Sequence, residues 1–284
     1  MTTPSPLASP MAPGLYVAAT PIGNLQDVSD RLRTAFSQAD LILCEDTRVT
    51  GKLVTALGLP SRPLRRYDDH RGEAARPQIL EALERGEAVV LVSDAGTPLI
   101  ADPGYKLVAE ARAAGHKVFS IPGPCAAIAA LSIAGLPSDR FSFQGFLPPK
   151  RGARSNRLEA LKGRDETLIF YETGPRLAAS LADIASVLGD PVVVVGRELT
   201  KLYEEVVDGP ASALAAQYQD APPKGELVLL IGPQEVTPPS LEEADPLMKA
   251  ALQTLSLKDA AAKVATDTGL KKRELYQRWL DRDR

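Results

Sequence analysis

Apolar positions along the chain switch repeatedly between short continuous runs and a helical spacing. Residues 15–19 form an apolar run that ends at Thr20-Pro21-Ile22-Gly23-Asn24, where Pro and Gly stop a strand and open a loop. Across 29–39, Leu32, Ala35 and Phe36 recur at helical spacing. A second strand, 41–44, meets the polar cluster Glu45-Asp46-Thr47-Arg48, and a helix follows over 50–57 with Gly58 as its cap. A weak strand is predicted at 64–67 and a helix at 73–85. The buried-type run 88–92 leads into Ser93-Asp94-Ala95-Gly96-Thr97-Pro98. A helix over 104–114, a strand at 118–121, the breaker Pro122-Gly123-Pro124 and an Ala-rich helix over 125–133 come next. Strands alternating with helices of roughly 10–15 residues predict parallel βαβ construction.

Pro and Gly punctuate 135–150, and 141–146 reads as an edge-like strand. A junction is expected here, dividing an N-terminal α/β domain (14–134) from a second one (135–234). Beyond it the pattern restarts: helix 155–161, strand 167–171, helix 175–188, strand 192–195, a strand around Val206 and Val207, and a closing strand 227–231. Residues 237–240 read as a linker. The segment 245–284 predicts three helices, and the last two, separated by Gly269, resemble a helix-turn-helix. Residues 1–13 are rich in Pro, Ser and Thr and lack the regions of a secretory signal, so a disordered tail is expected. The fold class expected is α/β, with two α/β domains and a small C-terminal helical segment.

Composition narrows the function. The 284 residues are 44% hydrophobic and 24% charged, the balance of a soluble globular protein. A net charge of −3 excludes a uniformly basic nucleic-acid binder and leaves local basic patches open. The longest apolar runs, such as 227–231, fall far short of the about 20 residues that a membrane helix needs. Two cysteines, Cys44 and Cys125, are too few in too large a chain for a disulfide scaffold, and read as buried thiols in a reducing cytoplasm. His70 and His116 share no metal spacing with either cysteine, so no metal is expected. With aromatics at 5%, broad base-stacking platforms are not expected.

Four polar, Gly-containing loops directly follow strands: 20–24, 93–98, 122–126 and 171–176. In open α/β sheets ligands bind at those carboxyl ends. None of the loops matches a dinucleotide fingerprint or a phosphate-cradling P-loop, and no nucleophile elbow occurs. The segments LYVAATPIGN (15–24), EDTR (45–48), SDAGTPLIADPG (93–104), PGPCAA (122–127) and FYE (170–172) resemble the tetrapyrrole-methylase superfamily. More narrowly, TPIGNL, SDAGTP, GFLPPK (145–150), RELTK (197–201) and KGE (224–226) resemble the small-subunit ribosomal RNA methyltransferases that 2′-O-methylate a cytidine of 16S rRNA. Each motif alone is weak; together, in this order, they are specific.

The resemblance implies S-adenosylmethionine held in a cleft between the two α/β domains of a homodimer. It carries cofactor contacts to Pro21, Asp94, Gly96, Thr97, Ile100, Cys125, Ala126, Glu172, Leu199, Gly225, Glu226 and Leu227. Cys125 stands where many relatives have Ser or Thr. Core packing explains the apolar positions equally well, and a turn-forming role explains Asp94. A ribose 2′-hydroxyl is a poor nucleophile, so a base or a cation near it would help. Glu45, Asp46 and Arg48 follow a strand end and are the catalytic candidates, with Glu172, Lys201 and Glu204 behind them. Structural ion pairing accounts for all of these equally.

The substrate signal is electrostatic. Lys150, Arg151, Arg154, Arg157, Lys162 and Arg164 face one acid, Glu159, and the first four are the RNA-binding candidates. Arg62, Arg65, Arg66, Arg71 and Arg76 form a second, more diluted stretch. Lys271, Lys272 and Arg273 open the last helix, where RNA contact or a capping role would both suit. A solvated helix face, or a tetrapyrrole carboxylate substrate, would account for such charges too. The expectation is a cytoplasmic methyltransferase acting on rRNA of the small ribosomal subunit. Its rivals are a small-molecule methylase of the tetrapyrrole type and a non-catalytic RNA-binding assembly module.

Overall fold

The computed structural model describes residues 10–68, 72–234 and 240–281. Residues 1–9 of the expected tail, His70, Arg71 and positions 237–239 of the expected linker lie outside the described residues. Residues 11 and 12 of that tail segment are tied to the fold: the Met11 N–H donates to Gln38 Oε1 at 3.0 Å, and the Ala12 carbonyl accepts from the Tyr16 hydroxyl at 2.8 Å.

The described residues up to Pro233 form one compact unit holding two five-stranded sheets. The first contains β1 (Gly14–Ala18), β2 (Leu41–Cys44), β3 (Leu64–Arg66), β4 (Ala88–Leu91) and β5 (Val118–Ile121) in the order β3-β2-β4-β1-β5. Every pairing in it is parallel, as the βαβ pattern predicts. The crossovers run through α1 (Asp30–Gln38), α2 (Thr47–Ala56), α3 (Gly72–Glu84) and α4 (Tyr105–Ala113), and α5 (Ala126–Ile133) follows β5. Adjacent strand residues enter opposite cores. Ile42 and Val90 pack with Leu32 and Phe36, whereas Leu43 and Val89 pack with Ile79 and Leu107. That two-residue period, with helices on both faces, is why the central strands are continuously apolar.

The second sheet departs from the expected repeat. Its strands are β6 (Phe141–Phe146), β7 (Thr167–Thr173), β8 (Val192–Arg197), β9 (Glu205–Pro210) and β10 (Glu226–Ile231), in the order β6-β7-β10-β8-β9. β6 and β7 pair in parallel, and the other three pairings are antiparallel. The connection between β8 and β9 is too short for a crossover, so these strands form a hairpin. β10 lies at the sheet centre, buried from Leu227 to Ile231. Helix α6 (Arg151–Glu159) begins four residues before the expected start, α7 (Gly174–Leu188) matches its expectation closely, and α8 (Ala211–Gln219) was not predicted.

The described residues from Gln234 onward form a second compact unit. Its helices α9 (Asp245–Leu252), α10 (Leu257–Thr268) and α11 (Lys272–Leu280) bury Met248, Ala260, Ala261, Val264 and Leu275. Ser256 caps α10 by accepting from the Asp259 N–H, and Gly269 ends it at φ 75°. Among the described residues no helix is long and apolar enough to cross a membrane.

Candidate active site

The strand-end loops of the first sheet are bonded into one unit. The Thr20 N–H donates to the Gly96 carbonyl at 2.9 Å, and the Gly96 N–H returns a bond to the Thr20 carbonyl at 3.2 Å. Thr97 Oγ1 donates to the Pro124 carbonyl at 2.9 Å, and the Asp46 N–H donates to Asp94 Oδ1 at 3.0 Å. The loops after β1, β2, β4 and β5 therefore hold one another. Gly96 has φ +80°, and a Cβ there would lie 3.2 Å from Ile22, so both conformation and closeness favour glycine. From the other sheet, Lys201 crosses Gly23, where a Cβ would overlap its Cγ. Its Nζ then donates to Glu198 and Glu226 at 2.9 Å each.

These segments enclose a cavity of about 460 Å³, within the range of small-molecule sites. Of the expected cofactor residues, Asp94, Gly96, Thr97, Ile100, Ala126, Glu172, Leu199, Gly225, Glu226 and Leu227 line it. Pro21 and Cys125 do not, although their neighbours Ile22 and Ala126 do. Cys125 is the residue before α5, and beside it stands Tyr171, a lining residue whose hydroxyl is pushed up chiefly by burial.

The lining carries the carboxyl groups of Glu45, Asp94, Asp102, Glu172 and Glu226 and, among the described residues, no Lys or Arg. Glu172 is buried, accepts from Ser180 Oγ at 2.6 Å and pairs with Arg176 at 3.3 Å; Glu226 is balanced by Lys201. Burial raises the carboxyl of Glu45, and the charges of Asp102 and Asp94 raise it further. Burial also raises Asp102, with Asp94 adding to it and a Ser93 hydrogen bond opposing. Such a cavity attracts a cation and repels phosphate.

The three catalytic candidates separate. Glu45 faces the cavity; Asp46 and Arg48 do not line it. Helix α2 starts at Thr47, earlier than expected, because Asp46 is its N-cap and accepts from the Arg48 N–H at 2.8 Å. The same carboxylate pairs with the Arg48 guanidinium at 2.5 Å, which holds Asp46 well below the usual carboxylate range. Arg48 is 85% exposed. Glu204, a reserve candidate, accepts from the Thr200 N–H.

The family comparison decides between readings of this cavity. Residues 14–215 match the family model described as "Tetrapyrrole (Corrin/Porphyrin) Methylases". The chain belongs to the tetrapyrrole methylase family. Residues 238–283 match a second model, "RsmI C-terminal HTH domain". Among relatives of this tetrapyrrole methylase is the Ribosomal RNA small subunit methyltransferase I of Erythrobacter litoralis, 52% identical over 96% of this chain and 97% of that protein. The proteins of the same name from Mesorhizobium japonicum and Escherichia coli O157:H7 are 45% and 46% identical, over 96% and 93% of this chain and 94% and 93% of theirs. Two solved structures share the fold: a diphthine synthase (TM-score 0.59, 16% identity, 77% of this chain and 89% of that one) and the methyltransferase CobJ (0.58, 19%, 78% and 94%).

The basic candidates of this tetrapyrrole methylase also divide. Lys150, Arg151 and Arg157 are exposed. Arg154 is a correction: it is buried, pairs with Asp183 at 2.7 Å and donates to the Pro148 and Pro149 carbonyls, which leaves it no phosphate to reach. Arg76 is likewise buried against Glu110 at 2.6 Å. Among the lining residues that the sequence reading did not single out are Asp102, Phe146 and Tyr171. Asp102 lies in the segment SDAGTPLIADPG, and its place just beyond a Gly-rich strand-end loop was the available signal.

Proposed function

We propose that the protein transfers a methyl group from S-adenosylmethionine to the ribose 2′ oxygen of a cytidine in 16S rRNA, within the small ribosomal subunit. The observation that carries this reading is the near-full-length similarity to rRNA methyltransferases, the C-terminal helical segment included. A tetrapyrrole substrate has weaker support, because the solved small-molecule enzymes share 16–19% identity and hence the fold alone. A non-catalytic module gives no reason for a cavity so fully lined by the cofactor motifs.

The cavity suits the cofactor. S-adenosylmethionine supplies an activated methyl on a cationic sulfonium when bound, and the carboxyl groups of Glu45, Asp94 and Asp102 in the wall favour that charge. Gly96 and Gly225 keep the wall open; at Gly225, with φ +100°, a Cβ would overlap the Glu198 carboxylate. Ile100, Leu199 and Leu227 offer apolar surface, and Asp94 and Glu172 offer acceptors. Positioning then supplies much of the acceleration. Glu45, its carboxyl raised by burial and by the charges of Asp102 and Asp94, takes the proton from the 2′ hydroxyl as it attacks. Lys150, Arg151 and Arg157 hold phosphates outside the acidic cavity. The working form is a cytoplasmic homodimer. The reading is tested by transfer of labelled methyl from S-adenosylmethionine to under-methylated 30S subunits.

A further inference from the structure

Phe143 and Phe146 stand three positions apart on β6, and a regular strand would send their side chains to opposite faces. Both nevertheless meet Tyr171, at ring-centroid distances of 4.7 and 5.7 Å. The cause is a bulge. Phe143 pairs with Ile169 and Phe146 with Tyr171, so three steps on β6 oppose two on β7. Gly145 absorbs the extra residue at φ +69°, in open space where a Cβ would touch nothing within 4 Å. Its glycine is thus required by conformation alone. The bulge turns Phe146 onto the Tyr171 face and into the cavity lining.

The segment is held on both sides of that ring. Leu147 is 1% exposed, and its carbonyl accepts from Arg176, the same residue that pairs with Glu172 in the cavity wall. Phe146 itself remains 51% exposed, and its contact with Tyr171 is edge-on at 67°. A rigidly aimed aromatic ring, half open at a cavity lip, is unexplained by core packing. Four residues further on, Lys150 opens the exposed basic run.

We infer that Phe146 is the platform on which the base of the target nucleotide stacks once it leaves the RNA helix, presenting its ribose to the cavity. This inference rests on the RNA substrate proposed above. One ring suffices, since a single extruded base is held and no strand is tracked. An aromatic face accepts a pyrimidine without reading its edge, so Phe146 is a positioning residue and takes no part in proton transfer.

The test compares Phe146→Ala, Phe146→Leu and Phe146→Trp for methylation of under-methylated 30S subunits, with S-adenosylhomocysteine affinity measured in parallel. Loss of one base stack lowers kcat/KM on the order of tenfold to a hundredfold in the Ala variant. The Leu variant, apolar but not flat, shows most of that loss, and the Trp variant recovers most of the activity. In the Ala and Leu variants the loss of kcat/KM exceeds any loss of S-adenosylhomocysteine affinity. In a Trp279→Phe background, the fluorescence of the Phe146→Trp variant is quenched on adding 30S subunits. Wild-type kcat/KM in the Ala or Leu variant overturns the inference, as does a parallel loss of S-adenosylhomocysteine affinity, which would make Phe146 a wall of the cofactor site. Failure of the wild-type protein to methylate 30S subunits overturns the substrate reading and the inference together.

Discussion

Arg154 and Asp183 form an ion pair inside the fold, 2.7 Å apart, with side chains only 6% and 7% exposed. The pair joins α6 to α7. Because Arg154 also donates to the Pro148 and Pro149 carbonyls, it shapes the segment between Phe146 and the exposed basic residues. A residue from the most basic stretch of the chain is thus spent on architecture.

Arg154→Ala should therefore lower stability by about 3 kcal/mol, since it leaves the buried Asp183 carboxylate with the longer contact to exposed Arg151 in place of its buried partner. Arg151 touches the same Asp183 at 3.3 Å but is 82% exposed, and Arg151→Ala should cost less than about 1 kcal/mol. Urea unfolding of the two variants makes the comparison. Equal losses would mean that the pair is not the structural link described.

Combining Lys150→Glu, Arg151→Glu and Arg157→Glu leaves Arg154 in place and should preserve the fold. Binding to 30S subunits should weaken, and the slope of log affinity against log salt should flatten by about two to three, as fewer counterions are released. Titrations between low and physiological salt read this directly. An unchanged slope would reduce the three residues to solvated surface.

Local pattern revealed the parallel sheet almost to the residue, because buried strands such as Ala88–Leu91 must be apolar throughout. The Gly-containing ends of those strands pointed to Ile22, Asp94, Gly96, Thr97 and Ala126 in the cavity wall, whereas Leu199, Gly225, Glu226 and Leu227 came from the family resemblance. Strand direction in the second sheet was hidden, since Val192–Arg197 looks alike in parallel and antiparallel pairing; the short stretch before Glu205 was the only cue. Charge runs conceal burial in the same way. Arg154, Leu158 and Leu161 share one helical face, and that spacing, rather than the count of cations, marked Arg154 as buried. Asp46 followed by Thr47 at the end of a strand was a readable helix cap that competed with its reading as a catalytic group.

Gly96→Val should abolish S-adenosylmethionine and S-adenosylhomocysteine binding in calorimetry while circular dichroism stays native. A β-branched residue does not tolerate φ +80°, and its Cβ would crowd Ile22 at 3.2 Å. Wild-type affinity in the folded variant would remove this loop from the site.

Glu45 as the proposed base predicts a pH signature for the reaction. The base must be ionised, and burial with neighbouring carboxylates raises its pKa. The single-turnover rate should climb with pH through that raised value and level off above it. Asp102→Asn removes a like charge, so the rising limb should move to lower pH. Glu45→Gln should lower the rate by about 10²-fold and abolish the limb. By contrast Asp46→Ala should lower Tm by a few degrees through loss of the α2 cap, with the rate little changed. A full-rate Glu45→Gln variant would remove Glu45 as the base.

The most direct measurement is incubation of the protein with methyl-labelled S-adenosylmethionine and under-methylated 30S subunits, followed by digestion of the rRNA to nucleosides. The account predicts label in 16S rRNA alone, recovered as 2′-O-methylcytidine and mapped to a single position. Label on a base, on another nucleoside or on a tetrapyrrole acceptor but not on 30S subunits would contradict it.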